Sequence, residues 1–202
     1  MVAFASRAGV EMKRALSAGL LVGILGLCLA GSASAATLKV FKININGAIG
    51  PATASYISRA IDVACENAGQ CLVIQLDTPG GLLDSTKIIV MKMLASPVPI
   101  VVYVAPAGAS AGSAGCFIVI AADVAAMAPT TNIGAAHPVQ IGGEGGVEKM
   151  DDTMKLKLEN FTSSYIETIA AKRKRNVKWA ISSVVESSAI TAEAALAPAG
   201  AT

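Results

Sequence analysis

Two serines, Ser110 and Ser113, stand in the small-residue stretch APAGASAGSAG, which runs directly into the apolar segment CFIVIAADV. A serine at the start of a helix lies where unpaired N–H groups and the helix dipole favour a developing oxyanion. A second small-residue turn, Gly80-Gly81 in DTPGG, follows the apolar run CLVIQL. Two glycines there let backbone N–H groups approach a substrate closely. A hydroxyl facing such amides would suit acyl transfer. Composition alone gives a plainer alternative, in which Gly, Ala and Ser serve only close helix packing and a tight turn. The sole histidine, His137, would be the base of any Ser-His-Asp arrangement, with Asp123 or an acid beyond it as orienter. Asp77 and Asp84 flank the Gly-Gly turn and fit roles as caps or braces.

The elements that position these residues are legible as an α/β alternation. TLKVFKINI alternates as a strand, and PATASYISRAIDVACENAG opens with Pro and closes with Gly as a helix does. CLVIQL and PIVVYV read as short buried strands, Leu82 to Leu94 and the segment up to about Ala122 as helices, and VAAMA as a further strand. Strands separated by helices predict a mostly parallel sheet with right-handed crossovers and flanking helices. The remainder reads as helical, from about Asp152 to Lys174 and from Val177 to Ser187, after a polar Gly-rich loop from Gln140 to Asp152. Lys172 to Arg175 reads as a solvated helix end. The composition agrees, with 53% hydrophobic but only 4% aromatic residues in 202. That is the make-up of a buried sheet covered by small-residue helices.

The N-terminus reads as a secretory leader over residues 1–35, with Lys13 and Arg14, an apolar run from Ala15 to Ala30, and the small-residue cleavage signal Ala33-Ser34-Ala35. Residues 36–202 then form one domain. The leader takes three of the 16 basic and one of the 14 acidic residues, so the remainder has no net charge. With no basic face or aromatic platform, nucleic acid is not an expected partner. Cys65, Cys71 and Cys116 have no metal-site spacing, so neither metal nor cofactor is expected. CENAGQC would allow a Cys65–Cys71 disulfide in an exported protein.

In order, QLDTPGGLLDST, PIVVYVAPAGASAGSAGCFIVIAADVAAMAPTTNIGAAHPV and MDDTMKLKLENFTSSYIETIAAKRKRNVKWA resemble the N-terminal protease domain of NfeD-type membrane proteins. These are ClpP-class serine proteases often encoded beside stomatin-like proteins. The resemblance runs from about Leu38 to Ala197 and implies a ClpP/crotonase-like fold. It implies Ser113 as nucleophile, with Ser110 as competitor, and Gly80 and Gly81 as the oxyanion element, with the amide of Ala114 as second donor. It places the general base at Lys157, with Lys155 nearby as alternative and His137 as rival. A lysine acts as base only if burial favours its neutral form, and Lys157 stands between Leu156 and Leu158 near a helix start. The implied activity is endopeptidase cleavage of apolar segments in membrane-associated, stomatin-like proteins by a homodimer. After ITAEAAL the resembling proteins continue into further segments, whereas this chain ends APAGAT and reads as truncated. Two other readings follow from that ending and from the fold: a non-catalytic domain that binds a stomatin-like partner, and crotonase-like acyl-CoA chemistry.

Overall fold

The structure, a computed structural model, describes residues 38–139 and 151–196. The expected leader and nearly all of the Gly-rich loop lie outside the described residues. In chain order the elements are β1 (Val40–Asn46), α1 (Pro51–Glu66), β2 (Cys71–Asp77), α2 (Leu83–Leu94), β3 (Ile100–Val104), β4 (Ser110–Gly112), α3 (Ala114–Ala121), β5 (Val124–Met127), β6 (Asn132–Gly134), α4 (Asp152–Lys172), α5 (Val177–Val185), β7 (Ala189–Thr191) and α6 (Ala192–Leu196).

Strands β1, β2, β3 and β5 pair in that order, all parallel. The period-two pattern fixes which face is buried. Leu72, Ile74 and Leu76 of β2 stand opposite Ile100, Val102 and Val104 of β3, and all six are fully buried. Each such side chain contributes about 1.5–3 kcal/mol relative to an exposed one. Helices α1, α2 and α3 lie side by side against the sheet, α1 against β1 and β2 and α3 against β3. Helix α3, AGCFIVIA, has all eight residues buried, as a helix apolar on every side must. No helix among the described residues is long and apolar enough to cross a membrane.

A second sheet, in the order β4-β6-β7, was not legible in the sequence. Strand β4 pairs parallel to β6, and β6 antiparallel to β7, so part of the small-residue stretch and two segments given no element in the sequence are strand. Cys65 and Cys71 are free thiols rather than a disulfide.

The basic run at the end of α4 is also not simply a solvated helix end. Arg173 Nε donates to the Ala121 carbonyl at 2.7 Å, and Arg175 Nη2 donates to the Ala122 carbonyl at 3.1 Å. These two arginines satisfy carbonyls that the end of α3 leaves without intrahelical partners. Arg173 also pairs with Asp123, whose other carboxylate oxygen accepts from the Ile100 amide at 2.8 Å. Arg173→Ala is expected to lower unfolding free energy by about 1–3 kcal/mol, because a partly buried carbonyl and a carboxylate lose their donor. Urea titration measures this, and a change below about 0.5 kcal/mol would mean that water replaces the guanidinium without loss.

Candidate active site

In parallel α/β sheets the loops beyond the carboxyl ends of the strands gather ligands. Here the end of β2 leads into Thr78-Pro79-Gly80-Gly81, and the end of β3 leads through β4 to Ser113. Asp77 braces the two loops, its Oδ1 accepting from the Ser110 amide at 3.0 Å, which is the bracing role expected for it.

Ser113 is the turn between β4 and α3. Its φ of 47° and ψ of −110° are costly for a non-glycine residue, on the order of 1–3 kcal/mol, and are held by the surrounding backbone. The Ser113 N–H donates to the Gly134 carbonyl at 3.0 Å, and the Ser113 carbonyl accepts from the Cys116 amide at 3.0 Å. With the backbone so fixed, the side chain stands free at a strand-to-helix turn, the same stereochemical device as a nucleophile elbow. Among the described residues its hydroxyl makes no hydrogen bond and does not cap α3. Ser110 differs, because its hydroxyl donates to Asn132 Oδ1 at 2.7 Å and so serves the β4–β6 pairing.

The Gly-Gly turn lies directly against Ser113. Gly80 has φ +125°, and a Cβ there would stand 2.6 Å from Ser113 Cβ. A Cβ at Gly81 would stand 2.0 Å from the Ile49 carbonyl oxygen. Only glycine fits either place. The Gly80 N–H donates to Thr78 Oγ1 at 3.1 Å, whereas the Gly81 N–H has no partner among the described residues. The Ala114 N–H, the first amide of α3, has no intrahelical partner either.

Ser113, Gly81, Ala114 and His137 line one cavity of about 940 Å³, whose remaining wall is largely apolar and includes Leu82, Phe117 and Leu158. Among the described residues that line it, His137 is the only one with an ionisable side chain. Its Nδ1 lies 2.9 Å from the Val184 carbonyl in the last turn of α5. Because a carbonyl only accepts, that contact places a proton on Nδ1, so in the neutral imidazole Nε2 is the nitrogen with the lone pair. Asp123 does not orient this imidazole, since it binds the first residue of β3, at the opposite end of the sheet from Ser113. The Val184 carbonyl is not legible from residue types, because any residue supplies one.

Lys157 and Lys155 are exposed on the first turns of α4 and are not among the lining residues, although their neighbours Met154 and Leu158 are. Leu156, expected to help bury Lys157, is itself 58% exposed. Cys116 is no rival nucleophile, because burial pushes its thiol up to about 12 and keeps it neutral. No group of three or more His, Cys, Asp or Glu residues among those described is placed to hold a metal ion.

Residues 39–200 match the family described as NfeD1b, N-terminal domain. The chain belongs to this family. Among curated relatives, the membrane-bound protease PH1510 of Pyrococcus horikoshii is 32% identical over 179 residues, which is 88% of this chain and 40% of that protein. The membrane protein NfeD1b of Bacillus subtilis is 28% identical over 161 residues, 80% of this chain and 34% of that one. This NfeD1b N-terminal domain thus matches less than half the length of either relative. Two solved structures of 1510-N, a membrane-bound stomatin-specific protease, are similar to it at 33% identity and cover 80% of this chain. One is a lysine-to-alanine mutant in complex with a substrate peptide, with TM-score 0.74 and 72% of that chain covered. The other is a serine-to-alanine mutant, with TM-score 0.73 and 76% covered. The mostly parallel sheet with flanking helices expected from the sequence is therefore the fold of a family that includes proteases.

Proposed function

We propose that this NfeD1b N-terminal domain is a serine endopeptidase of ClpP/crotonase-like fold, with Ser113 as nucleophile and the N–H groups of Gly81 and Ala114 as oxyanion donors. The observation that carries the reading is the strained Ser113 beside two amides on one apolar cavity, the hydroxyl and both amides without partners among the described residues. A hydroxyl attacks the scissile carbonyl once a base takes its proton, and the tetrahedral oxyanion is stabilised where N–H donors already point. Gly80 contributes by holding the turn rather than by donating, since its own amide is engaged.

Lys157 is the base in this reading, supported by the lysine-to-alanine and serine-to-alanine mutants through which the similar 1510-N protease has been studied. Its neighbour Leu158 lines the cavity, one residue away along α4. His137 is the second reading for the base, favoured by its place on the cavity wall and by its available Nε2.

The substrate class is an apolar segment of a stomatin-like, membrane-associated protein, cut on the extracytoplasmic side by a homodimer that reaches the membrane through its own leader or its partner. Support comes from the apolar lining and from the relatives described as membrane-bound. The test is cleavage of synthetic peptides by the folded chain. Apolar residues on both sides of the scissile bond are expected to raise kcat/KM about 100-fold over Asp-substituted versions, because a carboxylate loses its hydration in such a cavity. Equal rates would refute the apolar preference, and no cleavage of any peptide would favour the non-catalytic, partner-binding alternative.

A further inference from the structure

We infer that Thr78 is the positioning residue of the oxyanion site, its hydroxyl setting the Gly80-Gly81 turn and its methyl setting the first turn of α3. The inference rests on the reading of Ser113 as nucleophile.

Thr78 is fully buried and does not line the cavity, so any effect it has on chemistry passes through other groups. Its backbone ties the two active-site loops together. The Thr78 N–H donates to the Ser110 carbonyl at 2.8 Å, and the Thr78 carbonyl accepts from the Gly112 amide at 3.0 Å, the residue before Ser113. Its side chain divides between the two expected oxyanion donors. Oγ1 accepts the Gly80 N–H at 3.1 Å and donates to the Gly80 carbonyl at 3.2 Å. That carbonyl also accepts from Ile49 N at 2.8 Å, so both polar groups of Gly80 are held. With the Gly80 amide engaged inside the turn, the next amide, that of Gly81, is the one left unpaired beside the cavity.

The methyl does the corresponding work on the helix. Thr78 Cγ2 lies 2.7 Å from where a Cβ on Gly115 would be, so it packs on the backbone immediately after Ala114. Threonine is β-branched, so one stiff χ1 fixes hydroxyl and methyl relative to each other. A single rotamer therefore sets the spacing between the Gly81 and Ala114 donors. Valine would keep the shape but leave the buried Gly80 N–H without an acceptor, an unfavourable state that the turn can relieve only by rotating. Displacing a catalytic group by about 1 Å costs on the order of 10²-fold in rate.

The experiment compares the full chain with Thr78→Val and Thr78→Ser, measuring kcat and KM on an apolar peptide, the thermal midpoint, and hydrogen exchange at the Gly80 amide. Thr78→Val is expected to lower kcat about 10–100-fold with KM within about twofold, and to speed exchange at Gly80. Thr78→Ser, which keeps the hydroxyl and loses the methyl, is expected to keep exchange at Gly80 slow and to lower kcat about two- to fivefold, less than Thr78→Val does. Wild-type kcat in Thr78→Val would overturn the inference. So would equal losses in both variants with KM and midpoint moving together, which is the signature of a merely structural residue. If Thr78→Val does not fold, Thr78→Ser carries the test: slow Gly80 exchange with kcat lowered about two- to fivefold supports the inference, and fast exchange with kcat retained overturns it. A parent chain that neither cleaves nor labels at Ser113 removes the nucleophile reading and this inference with it. An active parent with an unaffected Thr78→Val removes this inference alone.

Discussion

Incubated with a fluorophosphonate, the folded chain is expected to be labelled at Ser113 and not at Ser110, and Ser113→Ala is expected to lose labelling and peptide cleavage by about 10⁴-fold or more. The difference between the two serines is geometric. Ser110 Oγ is already a donor to Asn132, and its replacement perturbs only a strand pairing. The Ser113 hydroxyl has no partner among the described residues, and its backbone is held at φ 47° by the Gly134 carbonyl on one side and the Cys116 amide on the other. Alanine at that position keeps the same backbone bonds, so the thermal midpoint of Ser113→Ala is expected to stay within about 3 °C of the parent. Activity lost without stability is what separates a nucleophile from a packing residue. Labelling that persists in Ser113→Ala, located by peptide mass, would transfer the chemistry to another side chain. No labelling of a folded parent would make the small-residue stretch a helix-packing device.

The parts of this site that were legible in the sequence are those written in side-chain pattern. CLVIQL and PIVVYV read as buried strands between turn signals, and CFIVIA, after its small-residue stretch, as a helix apolar on every side. Their order places the DTPGG and GASAGS loops at the same edge of a parallel sheet. The resemblance then selected Ser113 over Ser110, and the hydrogen bond that commits Ser110 gives a physical reason for that choice. What was not legible depends on backbone groups or on distant pairing. Strands β4, β6 and β7 have three residues each, too few for any alternation to register, and their pairing joins Ser110–Gly112 to Ala189–Thr191 through β6. The His137 partner is a main-chain carbonyl, and the acid expected beside it, Asp123, is held by Arg173 and Ile100 at the other end of β3. Thr78 leaves only a weak signal in the sequence, since a threonine hydroxyl can bond the backbone two residues on.

The base is where family and geometry point to different side chains, and a pair of substitutions separates them. Lys157→Ala is expected to slow fluorophosphonate labelling at Ser113 by about 10²–10⁴-fold, the usual contribution of a general base, while His137→Gln slows it by less than about tenfold. Lysine carries its amine on a long, flexible stem, and Leu158, the next residue of α4, already lines the cavity. Successive residues stand about 100° apart around a helix, so a rotation of that order in the first turns of α4 would exchange an exposed Lys157 for one covered by the apolar wall, where its neutral, proton-accepting form is favoured. His137 needs no such movement, but its imidazole is tethered through Nδ1 to Val184, and glutamine retains a donor for that carbonyl while removing the basic nitrogen. If instead His137→Gln abolishes labelling and Lys157→Ala leaves it intact, the site works as a serine–histidine pair oriented by a helix C-terminal carbonyl in place of an acid. Lys155→Ala serves as the control, because it is equally exposed on the same turns and removes the same charge. A loss there equal to that of Lys157→Ala would show that positive charge on α4, rather than a proton acceptor at one position, is what the reaction uses.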